Sequence, residues 1–96
     1  MNQKKPWLEL LVQLNKKKIL LHDAQCPKCQ EKHLKYKYFG NIANRIGYEI
    51  FWCDSCKKGI RISRVIVPED EEIISIDDEE RIRKETPEIV LVEDEG

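Results

Sequence analysis

The chain has 96 residues, of which 41% are hydrophobic and 36% are charged, and its formal net charge at pH 7 is −1. A chain this short forms one small domain with a limited apolar core, so we expect an additional stabilising element such as a bound metal. No stretch has the length of a membrane span and no export signal is visible at the N-terminus, which excludes an integral membrane protein and favours a cytoplasmic protein with reduced thiols.

The small net charge hides two oppositely charged parts of the chain. Residues 1–64 carry fourteen Lys and Arg against five Asp and Glu, whereas residues 65–96 carry three against thirteen. The simplest interpretation is intramolecular: an acidic C-terminal segment folds beside a basic region and relieves its self-repulsion. The acidic segment is also a candidate mask for a basic binding surface.

The first predicted element is an amphipathic helix over residues 6–16. Trp7, Leu11 and Leu14 recur at the i, i+4 and i+7 positions of one helix face. Because so small a domain needs buried area, this face is expected to pack on the rest of the chain, with a partner protein as the alternative. Residues 19–22 then predict an extended segment that leads to the first cysteine.

Four cysteines form two Cys-x-x-Cys pairs, Cys26 with Cys29 and Cys53 with Cys56, on either side of a 23-residue insert. One such turn brings two sulfurs to a common point, and two turns complete a tetrahedral shell of four thiolates. A shell of four protein ligands leaves no position for a reactive water. The spacing therefore predicts one structural Zn²⁺, with iron as the minor alternative because the same sulfur tetrahedron accepts it.

Other uses of these cysteines and of the nearby histidines are less consistent with the pattern. Two disulfides would require a secreted protein, and a redox role for Cys-x-x-Cys does not explain two pairs flanking one insert. His22 and His33 each lie four residues from a cysteine, but four thiolates already fill the shell. Neither histidine is expected to bind the metal.

The insert between the cysteine pairs predicts a β-hairpin. In the first strand an apolar and aromatic face alternates with a more basic one: Leu34, Tyr36 and Tyr38 against Lys35, Lys37 and Phe39. In the second strand Tyr48, Ile50 and Trp52 alternate with Glu49 and Phe51. The tip at 40–47 exceeds the roughly two to five residues usual in hairpin loops, so it is a candidate location for function.

A third strand is predicted after the second cysteine pair, over residues 60–67. Its alternation slips at Ser63 and Arg64, which predicts a bulge or a change of face. The acidic C-terminal part adds three short predicted elements: a strand over 73–76, a helix from Asp77 or Asp78 to Lys84, and a strand over 88–92.

The segments Cys26-Pro27-Lys28-Cys29 and Cys53-Asp54-Ser55-Cys56, with a hairpin between them and a β-branched strand after them, resemble a zinc ribbon. The resemblance covers residues 24–67 and implies two metal-binding knuckles and three antiparallel strands. Ribbon knuckles often carry Gly directly after the second cysteine, where a positive φ is favourable. Gln30 and Lys57 occupy these positions here, so either both adopt that conformation or the loops differ in detail.

The predicted fold class is therefore small and mainly β: a zinc ribbon with three antiparallel strands, a short N-terminal helix and a strand-containing acidic C-terminal extension. The expected boundaries are 1–23 for the helix and lead-in strand, 24–67 for the ribbon and 68–96 for the extension, packed as one domain. Residues 38–67 are also similar to small, largely uncharacterised bacterial zinc-ribbon proteins, a similarity that implies no activity.

Many zinc ribbons belong to proteins of transcription, RNA or the ribosome, and others are protein-docking modules, so the resemblance implies binding rather than chemistry. Basic side chains can neutralise phosphates and exposed rings can stack on unpaired bases, which favours nucleic acid or a nucleoprotein as partner. If the rings instead form the core, the cations only cover the solvent-exposed side of the sheet and bind no partner. The candidate partner-binding residues are Lys35, Lys37, Arg45, Tyr48, Lys57, Lys58, Arg61 and Arg64.

A protein–protein docking adaptor is the alternative, with the 40–47 tip, the N-terminal helix or the acidic tail as the contact surface. We do not expect an enzyme or a small-molecule substrate. A closed metal shell offers no open coordination position, and the chain shows no nucleophile–base set or phosphate-binding glycine loop at interpretable spacing.

Overall fold

A computed structural model describes residues 5–92 and contains two α-helices, a 3₁₀ turn and five β-strands in that range. The helices are α1, Lys5–Asn15, and α2, Glu79–Glu85. The strands are β1, Leu34–Gly40; β2, Ile46–Cys53; β3, Lys58–Ile66; β4, Ile73–Ser75; and β5, Val90–Leu91. Neither helix has the length and apolar character needed to cross a bilayer.

The strands form one sheet in the order β4-β1-β2-β3-β5. Loops of five and four residues join β1 to β2 and β2 to β3, and connections this short require antiparallel neighbours. The two outer strands pair in parallel, with Tyr38 opposite Ile73 and Lys58 opposite Val90. The mainly β prediction is confirmed. The sheet is mixed because β4 and β5, for which the sequence predicted no orientation, reach its edges after long connections, and such connections permit parallel pairing.

Contacts divide the chain into two compact units, and the predicted boundaries at residues 23 and 67 stay predictions. Unit 1 comprises, within the described range, residues 5–35, 51–60 and 89–92. Its apolar contacts centre on α1, where Trp7 and Leu11 are buried and the Trp7 ring meets Phe51 edge-on, with centroids 5.7 Å apart. The predicted amphipathic helix and its packing on the chain are confirmed.

Unit 2 comprises residues 36–50 and 61–88. Tyr38, Val67 and Ile73 form a buried cluster, with Tyr36 and Val65 packed against it. The three buried members come from β1, from the residue after β3 and from β4. The cluster therefore fixes the short parallel strand β4 against the hairpin.

Helix α2 begins where the acidic residues predict. The Asp78 side chain accepts a hydrogen bond from the backbone N–H of Arg81 at 3.1 Å, and Asp78 is thus the N-cap. The helix ends at Glu85, before Pro87, because the residue preceding a proline is driven out of the helical region.

The tip of the hairpin is tighter than expected. The loop is residues 41–45 rather than 40–47, because β1 and β2 continue to Gly40 and from Ile46. A Cβ on Gly47 would lie 1.9 Å from the carbonyl oxygen of Phe39, so the two strands approach closely here and only glycine fits. The expectation of a long tip at 40–47 is therefore wrong.

Two other sequence expectations concern local conformation. Arg64 has φ 57, a left-handed value within β3, and the more buried side chains change from even positions before it to odd positions after it, which confirms the predicted change of face. The predicted strand or extended segment at 19–22 is wrong from Leu21 onward: Leu20 is extended, but Leu21–Asp23 forms a 3₁₀ turn closed by the Asp23 and Ala24 backbone N–H groups. A short apolar run does not by itself distinguish a strand from a turn.

Candidate metal centre

The four cysteine sulfurs converge on one point in unit 1. All four Sγ atoms of Cys26, Cys29, Cys53 and Cys56 lie within 4.8 Å of one another. The Sγ–Sγ distances are 3.6 Å for Cys26 with Cys56 and 3.5 Å for Cys29 with Cys53, far longer than the roughly 2.05 Å of a disulfide. A tetrahedral ion with metal–sulfur bonds of about 2.3 Å places its sulfurs about 3.8 Å apart. The cluster thus matches the size of a four-thiolate metal shell.

Each cysteine pair lies on a tight turn of the same construction. The backbone N–H of Gln30 donates to the Cys26 carbonyl at 2.9 Å, and the N–H of Lys57 donates to the Cys53 carbonyl at 2.9 Å. Gln30 and Lys57 both have positive φ, 63 and 58. Two non-glycine residues therefore adopt the conformation for which glycine is favoured, at a cost of roughly 1–2 kcal/mol each.

Backbone N–H groups also point at the sulfur that begins each turn. The Cys26 Sγ accepts from the N–H groups of Lys28, at 3.3 Å, and Cys29, at 3.5 Å. The Cys53 sulfur is held in the same way by the backbone of Cys56 and Ser55. Such donors stabilise a thiolate, which is the form that binds a metal.

Burial opposes ionisation of most of these thiols. It raises the pKa of Cys26, Cys53 and Cys56, although backbone N–H groups partly offset the effect. For Cys29 the hydrogen bond from the Glu31 backbone is the larger effect and lowers the pKa. A divalent cation at the centre would supply the positive charge that four closely packed thiolates require.

A charged cluster surrounds Asp54, inside the second cysteine turn. Its backbone N–H donates to the His33 carbonyl at 2.8 Å, and its carboxylate contacts the ammonium groups of Lys57 at 2.6 Å and Lys35 at 3.5 Å. The Lys57 hydrogen bond and, to a smaller extent, Lys35 hold the pKa of the Asp54 carboxyl below its usual value. This residue thus links the start of β1 to the second cysteine turn.

The sequence-predicted cations contact different partners within their own units. Lys35 and Lys57 share Asp54 in unit 1, while in unit 2 Lys37 Nζ contacts Glu85 Oε1 at 3.0 Å. Arg45 is directed into its own unit, where it donates to the backbone carbonyls of residues 67, 68 and 71. Each of these four predicted basic side chains therefore has a partner within its own unit.

The remaining predicted residues are Tyr48, Arg61, Lys58 and Arg64. Tyr48 stacks on Phe39 with centroids 5.0 Å apart, and the Arg61 guanidinium lies 4.4 Å from the Tyr48 ring centroid. Lys58 begins β3 and Arg64 carries the positive φ, and both side chains are exposed. Among the rings, Phe39, Tyr38 and Trp52 are buried, so most of the aromatic side chains belong to the core.

Both histidines lie outside the sulfur cluster and are exposed. His22 has its Nε2 3.6 Å from Asp23, and His33 contributes only its carbonyl near Asp54. Within residues 5–92, no other group of three or more His, Cys, Asp and Glu side chains converges as these cysteines do. The geometry agrees with the prediction that neither histidine is a ligand.

The sequence interpretation missed one group of side chains. Glu49, which the alternation placed on the less apolar face, is buried, near Tyr36, Tyr38 and Glu71 in unit 2. The available signal was Phe51, an apolar residue on the same face as Glu49. It indicates that this side of the central strand is covered too.

No protein-family model, curated protein or solved structure matches the chain, so the case for its function stands on the geometry of its own residues.

Proposed function

We propose that the chain is a non-catalytic binding module of the zinc-ribbon type, held together by one structural Zn²⁺. The convergence of four sulfurs within 4.8 Å carries this proposal. Four protein thiolates complete the shell of a tetrahedral ion, whereas a catalytic zinc keeps one position for water or substrate. Iron is the alternative ion because it accepts the same ligands.

Metal content and ligand identity are testable together by native mass spectrometry of the purified protein. We expect one zinc per chain, and loss of that zinc in Cys29→Ser and Cys53→Ser. His33→Ala is the matched control, because His33 lies beside the site but outside the cluster. Zinc retained by both cysteine variants, or iron as the only bound metal, would contradict the assignment.

The partner we propose is single-stranded nucleic acid or a nucleoprotein. Its support is electrostatic: Lys35 and Lys57 keep more than half of their side-chain surface exposed despite contacting Asp54, and Lys58 is exposed beside them in the chain. Phosphate contacts of this kind release counterions and make binding strongly salt-dependent. Because most rings are buried, base stacking is expected to add little.

An anisotropy titration with a labelled oligonucleotide at two salt concentrations tests this partner. We expect weaker binding at high salt, and Lys35→Ala or Lys58→Ala should reduce the slope of log K against log salt by about 1 each. Lys84→Ala, which removes an exposed lysine from α2, is the control and should have no effect. Absence of binding at low salt, or salt-independent binding, would exclude nucleic acid as the partner.

Protein docking is a second candidate function, and exposed isoleucines in unit 2 favour it. Ile42 and Ile46 lie at the hairpin tip with 59% and 48% of their surface exposed, and Ile66 at the end of β3 is 76% exposed. We expect Ile42→Asp to abolish a nuclease-resistant interaction that Leu20→Asp, at an exposed leucine elsewhere, leaves intact. An interaction unaffected by both substitutions would exclude the tip as the contact.

A further inference from the structure

Glu49 is an unusual residue because it is a carboxylic acid in the interior of the sheet. It lies in β2, the middle strand, with 3% of its surface exposed. Among residues 5–92 it is the one charged residue that is buried. Gly40 and Gly47 approach each other across the hairpin. Tyr38 and Glu49 lie two residues further from the hairpin tip on their strands. They are therefore opposite each other, with both side chains on the same face of the sheet.

The groups around Glu49 are mostly acidic or phenolic. From β1, Tyr36 and Tyr38 share its face, and Tyr36 donates a 2.7 Å hydrogen bond from its hydroxyl to Glu71 Oε1. Glu71, with Asp70 beside it, precedes β4. Burial and the nearby Glu71 charge raise the pKa of Glu49 to about 7, and burial followed by Glu71 raises the pKa of Tyr36 to about 12.

The basic side chains of the neighbouring elements do not pair with Glu49. On β3, Arg61 lies over the Tyr48 ring and Arg64 is exposed. Lys37 contacts Glu85, and Arg81 of α2 contacts Glu72 and Glu85. Within the described part of the chain no basic side chain forms an ion pair with Glu49. Its negative charge, when present, is therefore not neutralised locally.

Residues 68–72, which we call the acidic strap, cross beside this cluster. Arg45 binds the backbone of the strap: the Arg45 Nη2 donates at 2.6 Å to the carbonyl oxygens of both Pro68 and Glu71. Tyr36 holds it through the Glu71 side chain. A half-open cavity of about 250 Å³ is lined by residues of both the hairpin and the strap: Tyr36, Lys37, Tyr38, Glu71, Glu72 and Ile74. The strap thus has two attachments and a cavity beside it.

We propose that protonation of Glu49 keeps the acidic strap closed over Tyr36 and Tyr38, and that ionisation of Glu49 opens it. With Glu49 neutral, the Glu71 carboxylate stays on the Tyr36 hydroxyl. When Glu49 ionises, two carboxylates share a poorly solvated site, and this is costly. Glu49 is fixed in a strand paired on both sides, whereas the strap borders solvent, so Glu71 moves outward and releases Tyr36.

The test is amide hydrogen exchange of the metal-loaded full chain across pH 5.5 to 8.5, corrected for the intrinsic pH dependence of exchange. Strand β4 follows the strap and pairs with Tyr38, so its amides report opening. We expect their protection to fall by about tenfold or more as pH rises, because one pKa unit corresponds to a factor of ten. The midpoint should coincide with the Glu49 carboxyl titration followed by ¹³C NMR.

Two variants and a control complete the experiment. Glu49→Gln should keep β4 protected at every pH, and Glu71→Gln should lower the Glu49 midpoint and remove the pH-dependent loss. Glu71→Gln also serves as the test if Glu49→Gln does not fold. Glu80→Gln, on the exposed side of α2, should behave as the unmodified protein. Unchanged β4 protection through the Glu49 titration, or the same pH dependence in Glu71→Gln, would overturn the proposal.

Discussion

The two units of the chain contain polar clusters of opposite character. In unit 1 four thiols converge in a geometry that suits a divalent cation, and Asp54 beside them contacts two lysines. In unit 2 the buried Glu49 carboxyl lies near the Glu71 carboxylate and two tyrosines. No basic side chain of the described residues forms an ion pair with Glu49. Because the proposed metal belongs to the first cluster and the proposed proton to the second, we expect the two units to lose structure under different conditions.

Removal of the proposed metal is the change with the largest expected effect. Structural zinc contributes an apparent free energy of roughly 10–16 kcal/mol near neutral pH, which exceeds the stability of many domains. We expect a strong chelator to abolish amide protection in unit 1, including residues 51–53, before it affects β4 in unit 2. Hydrogen exchange measures this directly, and equal loss in both units would remove the distinction between them.

Trp7→Ala should be the most damaging substitution away from the cysteines. The Trp7 ring is fully buried against Phe51, and removing such a ring costs about 3–5 kcal/mol through lost contacts and a residual cavity. Urea unfolding of the metal-loaded protein gives the loss. Leu8→Ala, at a neighbouring position that is 36% exposed, is the control and should cost much less.

The pH dependence of the unfolding free energy should show whether Glu49 is protonated in the folded state. Glu49 has a folded-state pKa of about 7 against an ordinary value of 4.5, so the folded state retains a proton that the unfolded state loses. Its contribution to stability is complete below pH 4.5, falls as pH rises through this window and is lost above about pH 7. The upper bound on the effect is about 3 kcal/mol, since one pKa unit corresponds to about 1.4 kcal/mol.

Glu49→Gln isolates this contribution, because the other titrating groups, including the four cysteines, remain in the variant. We expect the difference in unfolding free energy between the unmodified protein and Glu49→Gln to change across the window. A constant difference from pH 5 to pH 8 would show that Glu49 keeps its charge state on folding.

Loss of the α2 cap should have the smallest effect of the four. Asp78→Ala removes the side-chain acceptor for the Arg81 N–H, which typically costs about 1 kcal/mol. Thermal unfolding should show a reduction of a few degrees. Asp77→Ala, one residue outside the cap, is the matched control, and an equal effect of both substitutions would contradict the assignment of Asp78.

Much of the local structure was predictable because its causes lie close together in sequence. The 3.6-residue spacing of Trp7, Leu11 and Leu14 indicated α1, and the slip at Ser63 and Arg64 indicated the change of face in β3. The cysteine cluster was also predictable, since each turn brings two sulfurs together within four residues. Parallel pairing of β4 and β5 was not predictable, because a strand's residues carry little information on which distant edge it joins.

By itself the sequence determined the two cysteine turns, α1, the capped α2 and the hairpin strands, because each depends on spacing over a few residues. Only the tertiary structure decided the surroundings of Glu49 and the partners of the cations. Burial depends on what covers a strand from elsewhere in the chain, and an ion pair such as Lys37 with Glu85 joins residues far apart in sequence. For that reason a glutamate that alternation placed on the less apolar face became the buried acid of unit 2.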